Sequence, residues 1–226
     1  MAASRAYDGT RYMTSPVSLS GLQRLTMAAW WYTTTASIGT IDIIISANTG
    51  LSRLLFERYY DGTNNRFYCG VNNSSGHAQV NYTGLGWHHF ALTFDGTAGV
   101  AQADRMKLYV DGALLAFNGG SNTPGTTVPS GTVEIGRDSG ATSYKSKNGT
   151  GMAHLFFFNA TLTALQLQDL MWRPDNPPVQ PLAYYPMLSD GVTTEPDVVG
   201  NSDGTWQSSV GDLTHGPNVS LGKGGR

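Results

Sequence analysis

Met106-Lys107-Leu108-Tyr109-Val110-Asp111-Gly112-Ala113-Leu114-Leu115-Ala116-Phe117 is the stretch that decides the fold. Asp-Gly supplies the positive φ angles that a two-residue hairpin turn requires. A turn at Asp111-Gly112 sets Val110 opposite Ala113, Leu108 opposite Leu115, and Met106 opposite Phe117. Side chains alternate along a strand, so these six apolar residues share one face while Lys107 and Tyr109 take the other.

Five further Asp-Gly pairs punctuate the chain, at Asp8-Gly9, Asp61-Gly62, Asp95-Gly96, Asp190-Gly191 and Asp203-Gly204. Between such turns lie short strand-like runs. Residues 25–33 are aromatic and β-branched, and 41–46 form a continuous apolar run. Residues 54–59 and 66–71 flank a longer hairpin loop, and 87–94 alternate with Phe90, Leu92 and Phe94 inward. Runs at 132–136 and 152–159 follow. Strands of this length without alternating helices indicate a β-sandwich or barrel. One helix is expected near 163–173: Thr163 and Gln166 form a capping box, Leu162 and Leu167 a staple, and Pro174 ends it.

Composition agrees. Of 226 residues only 13% are charged, against about 25% in an ordinary domain. Lysine (Lys107, Lys145, Lys147, Lys223) and glutamate (Glu57, Glu134, Glu195) give way to Gly, Thr, Ser and Asn, which favour turns and strands. A net charge of −2 excludes an electrostatic grip on nucleic acid. No run approaches the roughly 18 apolar residues of a membrane span. Cys69 is the single cysteine, so neither an internal disulfide nor a cysteine-based zinc site can form. The stretch 1–9 lacks an apolar h-region, so synthesis in a cytoplasm without a signal peptide is expected.

The ordered motifs resemble a known family. Tyr7-Asp8-Gly9 opens the set, followed by Leu25-Thr26-Met27-Ala28-Ala29-Trp30-Trp31. Trp87-His88-His89-Phe90-Ala91-Leu92-Thr93-Phe94-Asp95, Leu108-Tyr109-Val110-Asp111-Gly112 and Val133-Glu134-Ile135-Gly136 come next. A closing strand and helix follow over 151–168. Together they resemble a laminin-G-like jelly roll of the concanavalin-A-like lectin and glucanase superfamily, over about residues 6–172. The fold implied is all-β, two curved antiparallel sheets face to face. The domain expectation is an N-terminal arm at 1–5 and a sandwich over 6–188. The sandwich includes a Pro-rich connector at 174–181 and a returning strand at 182–188. A Gly/Asp/Ser-rich extension over 189–226 follows, with Trp206 as its large apolar anchor.

The superfamily includes glycosidases, but the Glu-x-Asp-x-x-Glu strand of its glucanases is absent. Catalytic carboxyls should stand about 5–9.5 Å apart. Glu57 and Asp61, or Glu134 and Asp138, are four apart, roughly 13 Å on a regular strand. Glu195 and Asp197 have a workable separation, but Pro196 and loop-like surroundings argue against a rigid strand. His88 and His89 point to opposite faces of one strand and cannot ligate one ion. No enzyme and no metal site are therefore expected. Calcium is the one cofactor the resemblance leaves open, without nominated ligands.

Sugar binding needs exposed aromatics, and Tyr59, Tyr60 and Tyr68 on the 54–71 hairpin are the candidates. Two functions remain. One is a non-enzymatic virion structural protein, a capsid or tail decoration module of a bacteriophage, exposed on the virion surface. It would partner capsid or tail proteins, or itself as a homo-oligomer. The other is a lectin-like protein that binds a host-surface glycan.

Overall fold

Antiparallel pairing carries the architecture. The computed structural model describes residues 5–7, 11–33, 41–49, 52–60, 63, 65–72, 77–138, 150–187 and 193–207. Its strands are β1 (Arg5–Tyr7), β2 (Tyr12–Ser15), β3 (Arg24–Thr33), β4 (Ile41–Thr49), β5 (Ser52–Tyr60), β6 (Asn65–Val71), β7 (Ala78–Asn81) and β8 (Gly86–Asp95). There follow β9 (Met106–Val110), β10 (Ala113–Leu115), β11 (Gly119–Gly120), β12 (Val133–Ile135) and β13 (Thr150–Phe158). The helix α1 (Ala164–Trp172) precedes β14 (Ala183–Tyr185), β15 (Thr194–Glu195) and β16 (Gly204–Gln207). The first sheet runs β1-β13-β3-β8-β9-β10, with β14 also paired to β13. The second runs β11-β7-β6-β5-β4-β12-β2-β16-β15. These are the two sheets of a jelly-roll sandwich.

Alternation decides what lies between the sheets. Met27, Ala29 and Trp31 of β3 and Phe90, Leu92 and Phe94 of β8 face inward, against Leu54 and Phe56 of β5 and Phe67, Cys69 and Val71 of β6. Trp31 sets its edge on Phe67 and on Phe90, each 5.8 Å between ring centroids. Aromatic pairs of this kind add about 0.5–1.5 kcal/mol beyond their buried area.

The quoted hairpin forms with Ala113 opposite Val110 and Leu115 opposite Leu108. Asp111 (φ 51°) and Gly112 (φ 76°) take the left-handed angles of a type I′ turn. β10 ends at Leu115, so Met106 and Phe117 do not pair within the sheet. Ala113 and Leu114 are exposed because β10 is an edge strand, and short edges are a usual defence against unwanted pairing. Not every Asp-Gly pair is such a turn. Asp95 caps an Asx turn by accepting from the Thr97 backbone N–H (3.0 Å) and hydroxyl (2.6 Å), while Gly204 lies inside β16. The pairs at 8–9, 61–62 and 190–191 lie outside the described residues, as does the chain beyond 207.

The helix starts as its sequence requires. Thr163 Oγ1 accepts the Gln166 backbone N–H (3.3 Å), and Gln166 Oε1 accepts that of Thr163 (2.9 Å). Leu162, Leu167 and Leu170 are buried with Ala28, Ala91, Phe156, Phe158 and Tyr184, so this apolar layer covers the outer face of the first sheet.

Residues 194–207, which composition groups with a terminal extension, supply two strands of the second sheet. β16 pairs with β2, placing Trp206 opposite Met13, and Trp206 is buried in the core. Its Nε1 donates to Glu195 Oε2 (3.4 Å). Asp197 accepts the backbone N–H groups of Tyr184 (2.9 Å) and Val199 (3.2 Å) on Oδ1, and that of Ser202 (3.3 Å) on Oδ2. The Tyr185 hydroxyl donates to the Ser202 carbonyl (2.5 Å). These ties knit the segment to β14.

Candidate functional site

The two sheets differ in what lies on their outer faces. The first is covered by α1 and its apolar cluster. The outer face of the second bears polar and aromatic side chains, because Leu54, Phe56, Phe67, Cys69, Ala78 and Val80 turn inward. The same alternation sends Arg53, Glu57, Tyr59, Arg66, Tyr68, His77 and Gln79 outward.

Toward β2 and β12 this face satisfies itself. Arg137 Nε donates to Glu134 Oε2 (2.7 Å) and its NH2 group to Oε1, a two-pronged pair. The guanidinium also lies over the Tyr12 ring, 3.5 Å from its centroid. A carboxylate so paired has little left to offer a ligand.

Toward β5, β6 and β7 the face is less saturated. Tyr59 stacks on Tyr68 (5.1 Å, 23° between planes), and Tyr68 on His77 (5.6 Å, 15°). The three rings form a diagonal row across the strands. Tyr68 has a ring on either side, so the row offers its edges and its two end faces. Arg66 NH1 donates to Gln79 Oε1 (3.0 Å) beside it.

Glu57 sits directly opposite Tyr68 in the register and is only 5% exposed. Among the described residues, no hydrogen bond reaches its carboxyl. Burial first, then the negative charge of Asp138, pushes its pKa up to about 8, against a smaller opposing pull from Arg53. Glu57 therefore holds its proton at neutral pH. Asp138, 3% exposed, follows the end of β12. Past β12 the chain folds toward β4: Ser46 Oγ donates to the Arg137 carbonyl (2.7 Å) and Asn48 Nδ2 to Asp138 Oδ1. The buried Oδ1 of Asn48 finds no partner. His77 belongs to the same ensemble, its pKa pushed down by burial and by Arg53, with Asp138 opposing. The ring is neutral at pH 7.

Of the tyrosines named from sequence, Tyr59 and Tyr68 are brought together on this face, while the Tyr60 side chain lies outside the described residues. The carboxylates pair differently from their spacing. Asp138 acts on Glu57 from two strands away, a juxtaposition that intervals along one strand cannot reveal. Glu195 and Asp197 brace the end of the sandwich. His88 and His89 do part to opposite faces. His88 uses both ring nitrogens, on Asp111 Oδ2 (2.7 Å) and the Leu85 carbonyl (3.1 Å). Asp111 Oδ1 accepts the His89 backbone N–H (2.9 Å), fastening the hairpin turn to β8. The His89 ring packs on Trp30, and burial pushes its pKa down to about 4.

Asn48, Arg53, His77 and Asp138 were not legible as a site. The one available signal was Glu57, a charge at an outward position within a run of apolar strand residues. Calcium takes 6–8 oxygen ligands. No group of three or more His, Cys, Asp or Glu suited to a metal occurs among the described residues. Glu57, Asp138 and Asn48 alone do not make a calcium site.

Among solved structures, the chain is similar to a protein from Bacteroides ovatus whose name proposes carbohydrate binding (17% identity, TM-score 0.64). The match covers 94% of this chain and 58% of that one. It is also similar to a heptameric SAP-like pentraxin from Limulus polyphemus (18% identity, TM-score 0.55), over 75% of this chain and 81% of that one. A Trypanosoma rangeli sialidase in complex with sialic acid matches at 19% identity and TM-score 0.47, over 67% of this chain and 23% of the enzyme. That score carries no argument about activity. At these identities the likenesses show the fold alone. No curated protein sequence matches the chain. The Laminin_G_3 family model, described as concanavalin A-like lectin/glucanases superfamily, matches residues 7–168. On that match and on its two-sheet fold, the chain belongs to the concanavalin A-like lectin/glucanase superfamily.

Proposed function

We propose that this protein is a non-enzymatic carbohydrate-binding module whose sugar lies on the outer face of the second sheet, over β5, β6 and β7. The observation that carries the reading is the contrast between the two outer faces. One is covered by apolar packing. The other combines the Tyr59–Tyr68–His77 row with the Glu57 carboxyl, which takes no hydrogen bond from the described residues, and with the polar side chains of Arg66 and Gln79. Sugars present apolar C–H patches beside hydroxyls, and such a surface meets both. Sites of this kind pair aromatic contact area with a few placed polar groups.

Catalysis is disfavoured by the same geometry. Glu134 is neutralised by Arg137, and the register places it two strands across and two residues along from Glu57, roughly 12 Å between Cα positions. Asp138 is too enclosed, and too firmly held by Asn48, to flank a glycosidic bond with Glu57. The test is a glycan array probed with the wild-type protein and with His77→Ala and Tyr59→Ala. A glycan retained by the wild type and lost by both variants supports the reading. A glycan bound equally by all three places the site elsewhere.

A second reading, attachment to a larger particle as a decorating protein, is supported by α1. Leu165 (77% exposed) and Trp172 (56%) stand seven residues apart on one helix face. Leu114 (58%) is exposed near the hairpin tip, which Gln168 of the same helix touches through the Gly112 carbonyl (3.4 Å). Co-sedimentation with virions that is lost in Leu165→Ser/Trp172→Ser would favour it.

A further inference from the structure

We propose that the bound sugar is an acidic one: Arg66 and Gln79 take its carboxylate while its ring rests on the Tyr59–Tyr68 row. The inference rests on the sugar-binding reading and adds to it the ligand's charge and the residues that read that charge.

Arg66 stands at the corner of the aromatic row. The register sets it directly opposite Tyr59 on β5 and Asn81 on β7, two residues from Tyr68 on its own strand. Opposed residues on paired strands stand about 5 Å apart, and second neighbours along a strand about 7 Å. Tyr59, Arg66, Tyr68 and Gln79 are each half-buried, so all four meet solvent. Arg66 NH1 donates to Gln79 Oε1 (3.0 Å). A guanidinium has donors and no acceptor, so Gln79 turns its carbonyl to Arg66 and keeps its NH2 group as a second donor beside the first. Among the described residues no acceptor takes that NH2 group.

The edge of the sheet holds Gln79 in place. Gly119 of β11 pairs with Gln79, and a side chain at Gly120 (φ 71°) would sit 2.1 Å from the His77 carbonyl and 2.8 Å from Gln79 Cγ. The two glycines let the edge strand close against the Gln79 stem. What remains beside the rings is a pair of donor groups, and a planar guanidinium matches a carboxylate through parallel N–H bonds. In uronic and sialic acids the carboxylate is attached directly to the ring. A ring resting on Tyr59 and Tyr68 therefore carries it to the neighbouring position, which is Arg66. The surrounding groups agree. Glu57, across from Tyr68, holds its proton at neutral pH, and Asp138 is enclosed with Asn48 donating to it, so neither turns an exposed negative charge on the ligand. Arg53 is a further cation on the same face.

The test uses the full chain and matched methyl glycosides, glucoside against glucuronide and galactoside against galacturonide, with N-acetylneuraminic acid as a further acid. A sulfated glucose, glucosamine and free acetate are the controls. Affinities are measured by calorimetry at neutral pH. The expected result is an acidic sugar bound about tenfold or more tightly than its neutral counterpart, the size of a charge-assisted hydrogen bond. Arg66→Gln should bind both members of a pair equally, at the level of the neutral glycoside on the wild type. Gln79→Glu, whose carboxylate would pair with Arg66 in the ligand's place, should do the same. Retained binding of the neutral glycoside reports that each variant keeps its face intact. Equal affinity for both members of every pair in the wild type overturns the carboxylate assignment and leaves sugar binding standing. So does a preference for the sulfate or glucosamine, acetate bound as well as the uronide, or a preference for the acid that survives Arg66→Gln. No binding of any sugar in the panel overturns the sugar-binding reading itself.

Discussion

Replacing Glu57 by Gln should stabilise the protein, and by an amount that depends on pH in a defined direction. The native carboxyl titrates near 8 and the unfolded one near its ordinary 4.5. The native state therefore holds a proton that the unfolded state has released anywhere between those values. Stability from this group is whole below about 4.5 and is lost as pH rises, until the loss levels off above about 8. At 1.36 kcal/mol per pH unit the cost is about 3 kcal/mol at pH 7 and approaches about 5 kcal/mol at pH 9. Gln has the same shape and no charge to lose, so it escapes that cost. Urea unfolding of wild type and Glu57→Gln at pH 4.5, 7 and 9 reads the difference directly. The two proteins should have similar stability at the lowest pH and diverge upward. Coincident curves at all three values, or a less stable variant at pH 7, would refute the claim that Glu57 is buried, unpaired and protonated.

Leu108, fully buried opposite Leu115, should cost about 2–5 kcal/mol on truncation to Ala in a denaturant melt, and a loss below about 0.5 kcal/mol would mean the hairpin register is wrong. Deleting residues 193–226 removes Trp206 from the core, strips β16 from β2 and leaves the Tyr184 N–H without its Asp197 acceptor. That truncation should lose its cooperative thermal transition, and a wild-type melting temperature would show that β15 and β16 only ornament the sheet.

The sandwich was legible where local chemistry and periodicity agreed. Asp111-Gly112 fixed a register because only a turn with two left-handed residues joins those alternating strands, and Thr163 with Gln166 marked a helix start through two reciprocal hydrogen bonds. β15 and β16 escaped notice because strands of two and four residues show no periodicity, and because their one large apolar residue, Trp206, reads like an isolated anchor. The candidate site was legible only in part. Tyr59 and Tyr68 share a hairpin, so their meeting follows from local pairing. Glu57 and Asp138 are 81 positions apart, and the sheet order β5-β4-β12 that brings them together is a tertiary fact. Intervals along a single strand were the wrong measure for that pair.

The most direct test of the central claim is amide chemical-shift mapping of the ¹⁵N-labelled protein titrated with the glycan it binds. If the outer face of the second sheet is the site, the perturbed amides will cluster at 46–48, 53–59, 66–70, 77–79 and 137–138, and α1 will stay still. Perturbations confined to α1 and the β9–β10 hairpin, with β5 and β6 unmoved, would contradict it.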